Sequence, residues 1–164
     1  MRHGYNRWSI RKGLLATYST ISALRGKRFE TTNLTTIEGS IDAAFRSFLR
    51  ATEGSSTAAA KMLHLLLPDL APIWDNRIRT AYGCGYSQED DTEKARAYLK
   101  FGHRLRRELD ECLNSYAADH TLSDPNDAAR QLRSELYDGG KSVVKILDEY
   151  NFMKYTKCLD ELWI

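Results

Sequence analysis

Between Ser87 and about Ala118 the residues Ala95, Tyr98, Gly102, Leu105, Leu109, Cys112 and Tyr116 recur at alternating steps of three and four. That spacing stacks them on one face and predicts a long helix. No stretch of the chain shows the period-two alternation of a half-buried strand bounded by hairpin turns. Shorter runs repeat the helical pattern on either side. Ile10, Leu14, Tyr18, Ile21 and Leu24 predict an inward face for a first helix over residues 9 to 25. Thr35-Thr36-Ile37-Glu38 reads as a capping box opening a second, with Ile37, Ile41, Ala44, Phe45 and Phe48 inward. A third runs from about Thr57 to Leu67 and is stopped by Pro68. A short fourth carries Ile78, Ala81 and Tyr82 and ends at Gly83, a natural helix stop. The long helix is the fifth. Asp124-Pro125 opens a sixth that Gly139-Gly140 closes, Val143, Val144, Leu147 and Tyr150 mark a seventh, and FMKYTKCLDELW reads as a last amphipathic segment. The expectation is an all-α fold of about eight helices, packed as one compact domain over residues 1 to 164.

Composition agrees with that size and class. The 164 residues suit one domain, and 42% hydrophobic with 28% charged residues suits a globular chain. The longest apolar runs, such as MLHLLL at 62 to 67, fall far short of the roughly 20 residues that cross a bilayer, so no membrane partner is expected. The three cysteines, Cys84, Cys112 and Cys158, form neither a disulfide framework nor a metal-binding pair, and each reads as a small buried hydrophobe in a reducing, cytoplasmic setting. Net charge is +2, but Arg2, Arg7, Arg11, Lys12, Arg25, Lys27 and Arg28 precede the first acid, Glu30, which leaves the other 136 residues at −5. An acid-free, arginine-rich opening is also what a mitochondrial presequence looks like.

The stretch with most chemical content is PDLAPIWDNRIRTAYG, residues 68 to 83. Asp75 follows Pro72-Ile73-Trp74 and precedes a helix start, where free N–H groups and the helix dipole favour a carboxylate. It reads either as a helix cap beside a core tryptophan or as a carboxylate that does chemistry.

The longer segment GSSTAAAKMLHLLLPDLAPIWDNRIRTAYG resembles the active-site segment of the helix-hairpin-helix DNA glycosylases, with their oxoguanine-glycosylase-like fold. Gly54 matches the second glycine of that family's hairpin, Thr57-Ala58 its helix start, Pro72 its proline and Asp75 its catalytic aspartate. Trp74 stands as a one-residue insertion. Thr52 occupies the place of the first hairpin glycine, and Ser56 the place of the lysine that forms a Schiff base in bifunctional members. The segment also resembles a group of helical proteins of unassigned function that share Lys-x-Leu-His, Pro-Asp-Leu and Pro-x-Trp-Asp, here Lys61 to His64, Pro68 to Leu70 and Pro72 to Asp75. What the resemblance implies is a DNA-repair N-glycosylase without lyase activity, or a degenerate relative, acting on duplex DNA. Asp75 would stabilise the cation-like sugar or orient water as an extruded nucleotide loses its base. The alternative is a non-catalytic helical module that binds nucleic acid or protein.

Other candidates are weighed the same way. Gly54 and Ser56 in the hairpin and Lys61 on the third helix would contact phosphate, although Lys61 also fits a solvent-facing lysine. His64 and Trp74 would line a pocket, or else be a hydrogen-bonded structural histidine and a core ring. Arg77 would meet phosphate or hold Asp75. On the fifth helix Lys100, Arg104 and Arg107 form a stripe able to neutralise phosphates, or a solvated face paired with neighbouring acids. The chain has no P-loop, no dinucleotide-binding glycine motif, no His-Glu-x-x-His and no Gly-x-Ser-x-Gly, and its four histidines lack metal-ligand spacing. No metal and no cofactor are expected.

Overall fold

The computed structural model describes residues 7–87, 90–137 and 140–157. Among them are seven α-helices and no strand: α1 Arg7–Leu24, α2 Glu38–Ala51, α3 Ser56–Leu66, α4 Asn76–Ala81, α5 Asp91–Asp119, α6 Pro125–Tyr137 and α7 Val143–Asn151. A 3-10 turn, Leu34–Ile37, precedes α2, and one π turn, Phe152–Thr156, follows α7. The expected last amphipathic segment is therefore a π turn as far as it is described, and its remainder, residues 158 to 164 with Cys158, lies outside the described residues.

Helix α2 is the centre of the packing, touching α1, α3 and α5. Its buried face contains the expected Ile41, Ala44, Phe45 and Phe48. At the heart of the core Phe45 stacks on Tyr98 of α5 with ring centroids 4.2 Å apart, and Trp74 meets the same two rings edge-on. Such aromatic pairs add about 0.5–1.5 kcal/mol beyond area burial.

Three expectations are corrected. Helix α1 turns Gly13, Thr17, Ile21 and Leu24 inward, leaving Tyr18 66% exposed and Leu14 exposed. The cause is close approach to α2: a Cβ on Gly13 would lie 3.0 Å from that of Ala51, so small residues set the contact face. The capping box does not form, because Asn33 caps the 3-10 turn by accepting from Thr35 N, and α2 starts only at Glu38 without a side-chain cap. Cys84 is buried as expected, whereas Cys112 is exposed, since Leu109, Leu113 and Ala117 occupy the inner face of α5 there.

No helix among the described residues is long and apolar enough to cross a membrane.

Candidate active-site cleft

Pro68 ends α3 in sequence and Pro72 bars another helix, so residues 67 to 75 run irregularly through the interior. Their backbone groups then need partners from outside the segment. Four side chains from three helices and their caps supply most of them. His64 Nδ1 of α3 donates to Ala71 O at 2.8 Å, and Tyr98 OH of α5 donates to Pro72 O at 2.8 Å. Ile73 N donates to Asp148 Oδ1 of α7 at 2.9 Å, and Ser142 Oγ, capping α7, donates to Pro68 O at 3.1 Å. The backbone of Phe29 adds an N–H to Asp69 O at 2.8 Å. The segment delivers Trp74 into the core and Asp75 to the start of α4.

Asp75 is half-buried and fully engaged as a cap. Its Oδ1 accepts from Arg77 N at 2.8 Å and Ile78 N at 2.9 Å, while Oδ2 accepts from Thr156 Oγ1 of the π turn at 2.7 Å. Each oxygen of a carboxylate can accept two hydrogen bonds, so Oδ2 keeps capacity for one more. It also lines a cleft of about 650 Å³ between α3, α4 and α7, with Trp74, Lys61, Ile146, Tyr150 and Met153 among its walls. Lys61 is exposed and lines the same cleft as Asp75.

The remaining candidates fall in other places. Trp74 is completely buried and donates Nε1–H to Ser56 O at 3.2 Å, so it backs the cleft as a core ring and does not wedge into a ligand. His64 is half-buried; its Nδ1 must carry the proton it gives to Ala71 O, and burial pushes its pKa down, which keeps the imidazole neutral. Arg77 is exposed and donates Nη1–H to Thr156 O at 2.8 Å, bracing the π turn that also holds Asp75.

The α2–α3 hairpin is a helix–turn–helix through left-handed Glu53 and Gly54, but its polar groups face inward. Gly54 O accepts from the buried Lys94 Nζ at 2.9 Å, and the Ser56 hydroxyl, itself buried, pairs with Tyr86 OH at 2.9 Å. Ser56 as a phosphate contact is corrected on that ground. The α5 stripe divides. Lys100 Nζ donates to Gly83 O at 3.2 Å, Arg104 donates to Tyr82 O, and Arg107 is exposed. Lys100 and Arg104 thus close the carbonyl end of α4, opposite the end that bears Asp75.

Asp148 is the residue the sequence reading missed. It is 6% exposed, lines the cleft, and is anchored through Oδ1 to the backbone two residues before Asp75. Oδ2 has no hydrogen-bond partner among the described residues; His64 Nδ1 lies 3.6 Å from it. Burial pushes its carboxyl up to about 7, against the Ile73 N–H and Lys145, which pull it down. Burial works against charge on both members, so below about pH 7 His64 and Asp148 meet as a neutral imidazole and a neutral carboxyl, not as an ion pair. A signal was present: Val144, Asp148 and Asn151 recur at steps of four and three, placing a carboxylate on the buried stripe of α7.

A larger open depression of about 810 Å³ near Glu30, Arg106, Arg130 and Arg133 holds charges that pair internally, Arg106 with Asp110 and Arg130 with Asp127. No group of three or more His, Cys, Asp or Glu among the described residues is placed to hold a metal ion.

The fold and site define an all-α protein with a carboxylate-bearing cleft at a helix start. Comparison with known proteins adds no family to that description: no protein-family model, no curated protein and no solved structure matches the chain.

Proposed function

We propose that the protein is a DNA-glycosylase-like hydrolase of monofunctional type. The observation that carries this reading is Asp75, pinned by three hydrogen bonds on the wall of a cleft of about 650 Å³ that Lys61 also lines. A nucleotide extruded from the duplex enters the cleft, where mostly apolar walls accept a base and Lys61 meets a backbone phosphate. Asp75 then stabilises the cation-like sugar as the base departs. Its carboxylate is held in place beforehand, so little reorganisation accompanies the reaction. Ser56 replaces the Schiff-base lysine and is buried, so the reaction ends in hydrolysis and leaves the strand uncut.

The test is base release from a panel of damaged duplexes, wild type against Asp75→Asn. Asparagine keeps an oxygen for the two α4 N–H groups, so the cap survives while the charge and the acceptor for Thr156 Oγ1 are lost. Wild-type release that drops by 100-fold or more in Asp75→Asn supports the reading; equal release, or none from either protein, sinks it.

A second reading is favoured by a specific observation: both Asp75 oxygens carry structural hydrogen bonds, and the hairpin's polar groups are tied to Lys94 and Tyr86. On this reading the chain is a helical nucleic-acid-binding module without turnover. It predicts DNA affinity that falls steeply with salt and is unchanged by Asp75→Asn.

A further inference from the structure

Within the glycosylase reading, on which the inference rests, we propose that Asp148 is the proton donor of the cleft, giving its carboxyl proton to the nitrogen of an uncharged leaving base. Three observations lead there. First, the side chain lines the same cleft as Asp75 and is fixed to the backbone at Ile73, two residues away from it in sequence. Second, Oδ2 is buried with no partner among the described residues, although more than nine-tenths of buried polar groups in folded proteins are satisfied. An orphan of this kind is retained at a cost, and a reactive role is one of the few reasons for keeping it.

Third, the surroundings of the two carboxyls differ in the sense that separates an acid from a base. Asp75 receives two backbone N–H groups at a helix start and one hydroxyl, an arrangement that suits an anion. Asp148 receives a single N–H and is otherwise enclosed, which favours the neutral acid. The charged or titratable groups on this cleft or against Asp148 are His64 and Lys61 from α3, Asp75 from the cap of α4, Tyr98 from α5, and Lys145, Glu149 and Tyr150 from its own helix. His64 is neutral with Nδ1–H committed to Ala71 O, so it leaves the Asp148 proton unclaimed.

The step balances without any further reagent. The bond between C1′ and the base nitrogen breaks, its electron pair stays with the base, and the Asp148 proton joins that nitrogen. A water oxygen then bonds C1′, the water's proton passes to Asp75 and on to solvent, and a solvent proton restores Asp148.

The substrate class follows. An uncharged damaged base leaves only with a proton and needs Asp148, whereas a cationic N-alkylated purine leaves unaided. The experiment measures single-turnover release of both leaving groups from duplex DNA between pH 5 and 9, for wild type, Asp148→Asn and Asp75→Asn, with circular dichroism to show that the variants fold. The expected result is wild-type release of the uncharged base that declines above about pH 7. In Asp148→Asn that release is about 100- to 10,000-fold slower and lacks the decline, while release of the cationic base is unchanged. If Asp148→Asn keeps the wild-type rate and pH profile, or slows both leaving groups equally, Asp148 is not the donor and the Asp75 reading stands. If the wild type releases neither base, the Asp75 reading falls and this inference falls with it.

Discussion

Single residues in this protein trade stability for position. Asp148 shows the sign of that trade. An aspartate in the unfolded chain titrates near 3.9, and in the fold it titrates at about 7. Below pH 4 it is protonated in both states and costs little. Between these values the unfolded chain ionises first, so stability falls as pH rises, and above 7 the whole penalty is present, on the order of 4 kcal/mol. Asp148→Asn keeps an acceptor for Ile73 N–H and removes the charge. Its melting temperature should exceed that of wild type at pH 8 and converge with it near pH 4; a variant less stable than wild type at pH 8 contradicts the account. Asp75 contributes as a helix cap. Asp75→Ala strips the cap from α4 and should cost about 0.5–2 kcal/mol in denaturant unfolding, whereas Asp75→Asn should cost a fraction of that. The cap was legible in the sequence because proline, aspartate and helix start lie side by side. For Asp148 only its burial was signalled, by its place on the α7 stripe; its partner Ile73 is 75 positions away and only the fold joins them.

At the scale of elements, helix existence was legible and helix facing was less so. Periodic spacing marked α1, α2, α4, α5 and α7, and proline and glycine boundaries marked α3 and α6, since backbone hydrogen bonding along a helix is local. Which face turns inward depends on the neighbour. On α2 the large apolar stripe and the buried face coincide. On α1 they do not, because Gly13 and Thr17 allow the two helices to approach where Leu14 and Tyr18 would hold them apart. The Thr17 hydroxyl donates to Gly13 O at 2.8 Å, so this face leaves no polar group unpaired there. Gly13→Leu should therefore destabilise the protein by about 1–3 kcal/mol through overpacking against Ala51. Leu15→Ala, on the exposed side, should stay within about 0.5 kcal/mol of wild type in the same urea titration. Equal effects of the two would reverse the assignment of the inner face.

For the molecule as a whole, the distribution of charge decides how DNA could be held. By spacing, Lys100, Arg104 and Arg107 form one stripe, either phosphate-binding or a solvated face; the fold gives the three side chains different surroundings. Arg104 is half-buried and spends its guanidinium on Tyr82 O, where Gly83 N–H bonds back to Thr80 O and the α4 carbonyls need donors. Lys100 shares that task through Gly83 O, yet its exposed ammonium has two further N–H groups for a phosphate. Arg107 on α5 and Lys61 at the cleft are exposed. If DNA is the partner, neutralising a cation that touches phosphate lowers the dependence of log K on log salt by about 0.9, because one fewer counterion is released. The double variant Lys61→Gln, Arg107→Gln should thus bind a short duplex more weakly and show a salt slope smaller by roughly 1.8 in fluorescence anisotropy. Arg104→Gln should leave the slope near wild type and instead loosen the α4 end, seen as faster amide exchange at Tyr82 to Cys84. A slope unchanged by the double variant, or lowered by Arg104→Gln alone, would place the phosphate path elsewhere, with Arg7, Arg11 and Lys12 of α1 and Arg25 just after it the next cations to neutralise.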